Sequence, residues 1–108
     1  MVQVGARRVG IREIEGVLNQ PPAVSGAAVV AAPHDLLGEV PLAFVVLKAR
    51  QVDAQSVLRA FCADRLAPYK VPYRVVVRDQ LPMMPGSGKL DRASLRSAAT
   101  AMRFDVVS

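Results

Sequence analysis

The sequence predicts an α+β fold, a small three-stranded mixed sheet with helices packed on it plus a short N-terminal β-hairpin. Two observations carry this. Apolar segments rich in Val and Ala, at 24–32 and 42–48, have the length and continuity of buried strands. Around them lie amphipathic stretches at helical spacing, closed by Pro or opened by a capping residue. Length bounds the rest: 108 residues make one core and leave little room to enclose both a deep substrate cavity and a cofactor site. Residues 1–108 are therefore read as a single domain.

The chain opens with two β-prone segments on either side of Gly5 and Ala6, which read as a small hairpin. Ile11, Ile14, Val17 and Leu18 then recur on one helical stripe, with Glu13 and Glu15 off it, until Pro21 and Pro22 stop the helix. Between the two apolar strands, Pro33 to Glu39 reads as a turn-rich connection holding the single histidine, His34. No Ser or Cys nucleophile is tied to His34, so it is assigned no catalysis. A longer helix starts at Asp53 or Ser56, with Val57, Leu58, Phe61, Cys62 and Leu66 on one face, and Pro68 closes it. Cys62 falls within that stripe, which favours core packing over nucleophilic use. Tyr73 to Arg78 alternates with period two, as a strand does: Tyr73, Val75 and Val77 share one face, and Arg74, Val76 and Arg78 the other. The tail after Met102 is expected to fray.

Composition narrows the function classes. A formal charge of +5, from 14 basic and 9 acidic residues, favours anionic partners. Nucleic acid would need stacking surfaces, yet Phe44 and Phe61 lie in apolar runs and few other aromatics remain, so no specific nucleic-acid partner is expected. The single Cys62 excludes an internal disulfide and supplies no cysteine cluster for a metal, which suits a reducing cytoplasm. Neither a signal peptide nor a membrane span is read in the chain.

One stretch carries chemistry. From Leu81 to Leu95 the chain reads LPMMPGSGKLDRASL, setting Lys89 behind Gly86, Ser87 and Gly88 on a loop that Pro82 and Pro85 stiffen. Asp91 is the expected N-cap of a last helix whose buried stripe is Leu95, Ala98, Ala99 and Met102. The Gly-Lys pair is not a phosphate-binding P-loop, because the first required glycine is Met83 here and the required hydroxyl residue is Leu90. On the local pattern alone, Lys89 is an exposed lysine in a Gly/Pro turn.

The wider series changes that reading. VGIREIE at 9–15, PHD at 33–35 with Gly38-Glu39 and PLAFV at 41–45, LAPYKVP at 66–72, then Leu81-Pro82 and 86–92 with Leu95 together resemble the small C-terminal domain of adenylate-forming enzymes. That family includes acyl-CoA synthetases, peptide-synthetase adenylation domains and luciferases. The resemblance implies a two-step reaction, in which a carboxylate and ATP give an acyl-adenylate and pyrophosphate, and a thiol then takes the acyl group. It implies that Lys89 is the catalytic lysine of the first step, on a loop supported by Gly86, Ser87 and Gly88. It also implies that Gly5, Ala6, Arg7 and Arg8 form the thiol- or CoA-facing loop of the second. Ala6 and Ile11 depart from the family's usual glycine and proline. The complete enzyme is expected to use ATP, Mg and CoA, with none held tightly by this domain alone. Its partners are then a large N-terminal domain of the same enzyme, the acyl-adenylate, and CoA or carrier-protein pantetheine. Fatty acid metabolism is the expected setting. Two other readings stay open: the C-terminal part of a peptide-synthetase adenylation domain, and a stand-alone interaction module without catalysis. Arg7, Arg8, Arg12, Lys70 and Arg74 are ordinary solvated charges unless a CoA phosphate reaches them.

Overall fold

The computed structural model of the chain describes residues 2–4 and 7–102, without the side chains of Gln3, Arg7 and Met102. Strands β1 (Val2–Val4) and β2 (Arg7–Val9) form the expected hairpin, with Val2 opposite Val9. Helix α1 (Ile11–Leu18) follows, then β3 (Val24–His34), β4 (Gly38–Leu47) and α2 (Ala54–Arg65). A single 3-10 turn at Pro68–Lys70, strand β5 (Arg74–Arg78) and helix α3 (Arg92–Met102) complete the order.

The predicted three-stranded mixed sheet is its centre: β4 runs antiparallel to β3 on one side and parallel to β5 on the other. The hairpin joins the same side of β4 as β5, through Val4 opposite Gly38, so five strands make one sheet. Pro41 lies between the two attachments, opposite Ala31. A proline has no N–H for a ladder, and here its carbonyl takes up the neighbouring donor, the N–H of Tyr73, at 2.7 Å.

Both faces of this sheet are covered, which is why β4 reads as an unbroken apolar run rather than an alternating one. On one face, α1 and α2 bring Ile14, Val17, Leu18, Leu58 and Cys62 against Val29, Ala43, Val45 and Val75. On the other, Leu95 and Ala99 of α3 pack over Ala28, Val30, Leu42 and Phe44. Successive strand residues thus feed opposite cores, as the pleat demands.

Three sequence expectations shift. Pro33 to Glu39 is mostly strand, because β3 continues to His34 and β4 begins at Gly38, whose φ of +82° makes the tight return. Val57 is 47% exposed rather than part of the α2 core stripe, because the buried face of that helix runs through Ala54, Leu58 and Cys62 and Val57 lies to one side of it. Val77 is equally exposed, while Val75 beside it is buried, because β5 runs out past the packed layer at its C-terminal end. The tail beyond Met102 lies outside the described residues.

Candidate functional site

The Lys89 loop is a closed, projecting turn. Met83 and Leu90 form an antiparallel bridge at its base. Inside it the Met84 N–H donates to the Lys89 carbonyl at 2.6 Å, and the Gly88 N–H donates to the Met84 carbonyl at 3.2 Å. The Ser87 hydroxyl oxygen accepts from the Lys89 N–H at 3.3 Å. Gly86 and Gly88 take φ of +82° and +72°, the left-handed conformations that let the chain fold back in so few residues. A Cβ at either would meet nothing within 4 Å, so the requirement is conformational and not one of close approach. Gly86→Ala should therefore cost about 1–2 kcal/mol from backbone strain alone, read as a shift in the urea midpoint. An unchanged midpoint would mean the turn relaxes into another shape.

Residues 83–89 are all exposed, including Met83 and Met84 at 53% and 49%. Among the described residues the Lys89 side chain makes no hydrogen bond or ion pair. The ammonium is held out on a turn whose backbone is internally satisfied.

The C-terminal side of the loop is firmly tied. The Asp91 N–H donates to the Pro82 carbonyl at 2.9 Å, and the Asp91 carboxylate caps α3 by accepting from the Ser94 N–H at 3.1 Å, as its place in sequence predicts. Arg92 grips Glu15 of α1 with two donors, at 2.9 and 3.1 Å, and donates to the Val29 carbonyl at 3.1 Å. The Val29 N–H in turn donates to Glu15 at 2.8 Å. Hydrogen bonding to Glu15 holds the Arg92 guanidinium still further above its usual range. The position of Glu15 off the apolar stripe of α1 gives no hint of this role. The available signal was a lone carboxylate between Ile14 and Val17 facing an arginine far along the chain, and local pattern cannot pair residues 77 apart.

Of the four residues expected to face the thiol, Gly5 and Ala6 lie outside the described residues; Arg7 and Arg8 sit in β2, and Arg8 is exposed. The hairpin rests through Val2 and Val9 on the α1/α2 core, whereas the Lys89 loop rests through Leu81 and Leu90 on the α3 core. The described hairpin strands and the Lys89 loop thus take support from opposite faces of the sheet. A depression of about 180 Å³ beside the hairpin is lined by Val4, Leu37, Arg59, Tyr69 and Tyr73. Lys70 is paired with Glu13 at 2.9 Å and so is not a bare charge, and that hydrogen bond raises its pKa; Arg12 remains exposed.

His34 is structural: its Nδ1 accepts from the N–H groups of Leu36 and Leu37, and its ring meets Tyr73 edge-on at 5.2 Å. Cys62 is fully buried, and burial pushes its thiol up to about 11. A thiol reagent at pH 8 should leave Cys62 unmodified until the chain unfolds. Rapid labelling of the native protein would contradict the packing described. The same shift favours the fold below the ordinary thiol pKa of 9.0 and loses that contribution as pH rises through about 11, since the native state then holds the proton that the unfolded state has released. Among the described residues no cluster of His, Cys, Asp or Glu could hold a metal, and no helix is long and apolar enough to cross a membrane.

Comparison with known proteins places this geometry. Residues 13–89 match the family described as AMP-binding enzyme C-terminal domain. The 2-succinylbenzoate–CoA ligase of Geobacillus kaustophilus is 44% identical over 78 residues, 72% of this chain and 16% of its own. A Mycobacterium tuberculosis fatty acyl CoA synthetase superimposes with a TM-score of 0.87 at 33% identity, over 96% of this chain and 20% of that one. An amide bond synthetase from Marinactinospora thermotolerans gives 0.85 at 35% identity, over 92% and 20%. The chain spans about a fifth of the length of such relatives.

Proposed function

The chain belongs to the AMP-binding enzyme C-terminal domain family, and from that premise we propose that it is the mobile lid of an ATP-dependent acyl-CoA synthetase, delivering Lys89 to the adenylation step. The observation that carries the proposal is the exposed, unpartnered Lys89 on a turn that two left-handed glycines make possible.

In the first step a carboxylate oxygen bonds to the α-phosphorus of ATP and the bond to pyrophosphate breaks. Two anions must approach, and negative charge builds on the leaving group. An ammonium with three donors, placed between carboxylate and phosphate, offsets both. In the second step a thiol sulfur bonds to the acyl carbon, the thiol proton is lost and AMP leaves; Gly5, Ala6, Arg7 and Arg8 would line its approach. Support for a swivel between the steps comes from the hairpin strands and the lysine loop packing into different cores, on opposite faces of the sheet. Magnesium would arrive with the ATP phosphates, for the described residues offer it no ligand cluster. Alone, the chain should be inert, because the large N-terminal domain of the same enzyme would hold ATP and the acyl group. The acceptor need not be CoA: one similar structure is that of an amide bond synthetase, and carrier-protein pantetheine is the other acceptor this reading allows. The setting we infer is cytoplasmic acyl activation, fatty acids among the substrates.

The test is a graft. The chain replaces the matching segment of the Geobacillus 2-succinylbenzoate–CoA ligase, and acyl-adenylate formation is measured against the host lacking that segment. Restored adenylation is expected. A graft that folds and binds ATP yet stays at the truncated host's level would favour the non-catalytic interaction module.

A further inference from the structure

Glu15 and Arg92 meet around the free edge of β3, and we propose that this clamp is a positioning device for Lys89. The proposal rests on Lys89 acting at the phosphates. Among the described residues β3 pairs only with β4, and the N–H and C=O of Val29 face the other way, one donating to Glu15 and the other accepting from Arg92. Glu15 reaches that edge from α1 on one face of the sheet and Arg92 from α3 on the other, closing a ring of hydrogen bonds through the strand backbone. Glu15 is only 14% exposed. The Arg92 side chain is 41% exposed, yet a two-point, charge-assisted pair in which both partners are also tied to the Val29 backbone has fixed geometry, unlike a solvated surface pair.

Arg92 is the first residue of α3 and lies three positions after Lys89. No slack separates them: Leu90 is bridged to Met83, and the Asp91 N–H is held by Pro82. Any shift of Arg92 is therefore passed to the base of the turn that aims the ammonium. Among the described residues the lysine side chain has no partner to fix it, so its placement must come from that base. Release of the clamp should leave the fold standing and Lys89 misaimed.

The experiment uses the graft described above. Acyl-adenylate formation, and thiol transfer from supplied acyl-adenylate, are timed for Glu15→Gln and Arg92→Lys. Gln keeps an acceptor for the Val29 N–H without the charge; Lys keeps the charge without the fork. Each variant is made with Lys89 present and in a Lys89→Ala background. With Lys89 present, each should slow adenylation by about tenfold or more while leaving thiol transfer within about twofold, the size of loss that a small misplacement brings. In the Lys89→Ala background the further loss should be under about twofold, because the group being aimed is gone. Equal losses in both backgrounds, equal losses in both half-reactions, or unchanged adenylation would each overturn the positioning role and leave the proposed function intact. Full adenylation by Lys89→Ala alone would overturn both together.

Discussion

Replacing Lys89 with Ala in the graft is expected to slow acyl-adenylate formation by about a hundredfold or more, roughly 3 kcal/mol, the usual cost of removing one preorganised donor from a charge-developing transition state. Thiol transfer from supplied acyl-adenylate should fall far less. The asymmetry follows from structure: the lysine turn and the hairpin stand on different cores, so losing one side chain leaves the other loop's support untouched. Lys89→Arg should recover little, because a planar fork does not reproduce a compact ammonium between two oxygens. The apparent KM for ATP should change less than kcat if the lysine acts mainly at the transition state. Equal loss in both half-reactions would make Lys89 a structural residue.

The largest stability effect should come from Phe44→Ala. Phe44 is fully buried in β4 beneath α3, in the core against which Leu81 and Leu90 of the lysine loop pack, with the Arg78 guanidinium 5.1 Å from its ring centroid. Truncation should cost about 3–5 kcal/mol, against the total of about 5–15 kcal/mol typical of a domain. Urea unfolding of the chain measures it, with Val57→Ala as the control. Val57 is 47% exposed and should shift stability by no more than about 0.5 kcal/mol. Equal, small losses at both positions would mean the α3 core is loosely packed. Because Leu81 and Leu90 of the lysine loop pack on the same core as Phe44, the same truncation should also slow adenylation before it unfolds the domain.

Much of this was legible in order. The apolar runs gave strands because both faces of the sheet are covered, and the Gly-rich stretch gave the projecting turn that carries Lys89 because φ above zero and an uncluttered backbone leave a signature in residue type. Asp91 announced the start of α3 for a similar reason: capping is local chemistry. The misses share a cause as well. Strand ends were underestimated at Pro33 and His34, where polar and turn-prone residues are overruled by ten residues of antiparallel pairing with β4. Val57 escapes burial because apolar spacing alone does not fix which of two neighbouring stripes, Val57 with Phe61 or Ala54 with Leu58 and Cys62, faces the sheet squarely. Glu15 escaped notice because its partners, Val29 and Arg92, are brought to it only by the fold. The thiol-facing loop at Gly5 and Ala6 lies outside the described residues and stands on resemblance.

Direct capture of a lysine beside the phosphates tests the central claim. Adenosine diphosphopyridoxal carries an aldehyde next to its phosphates, and borohydride fixes it on whichever lysine it meets in the graft. The chain offers Lys48, Lys70 and Lys89, so peptide mapping is unambiguous. The label should fall on Lys89 and disappear when ATP competes. Label on Lys48 or Lys70 instead, or on host lysines with Lys89 untouched, would contradict it.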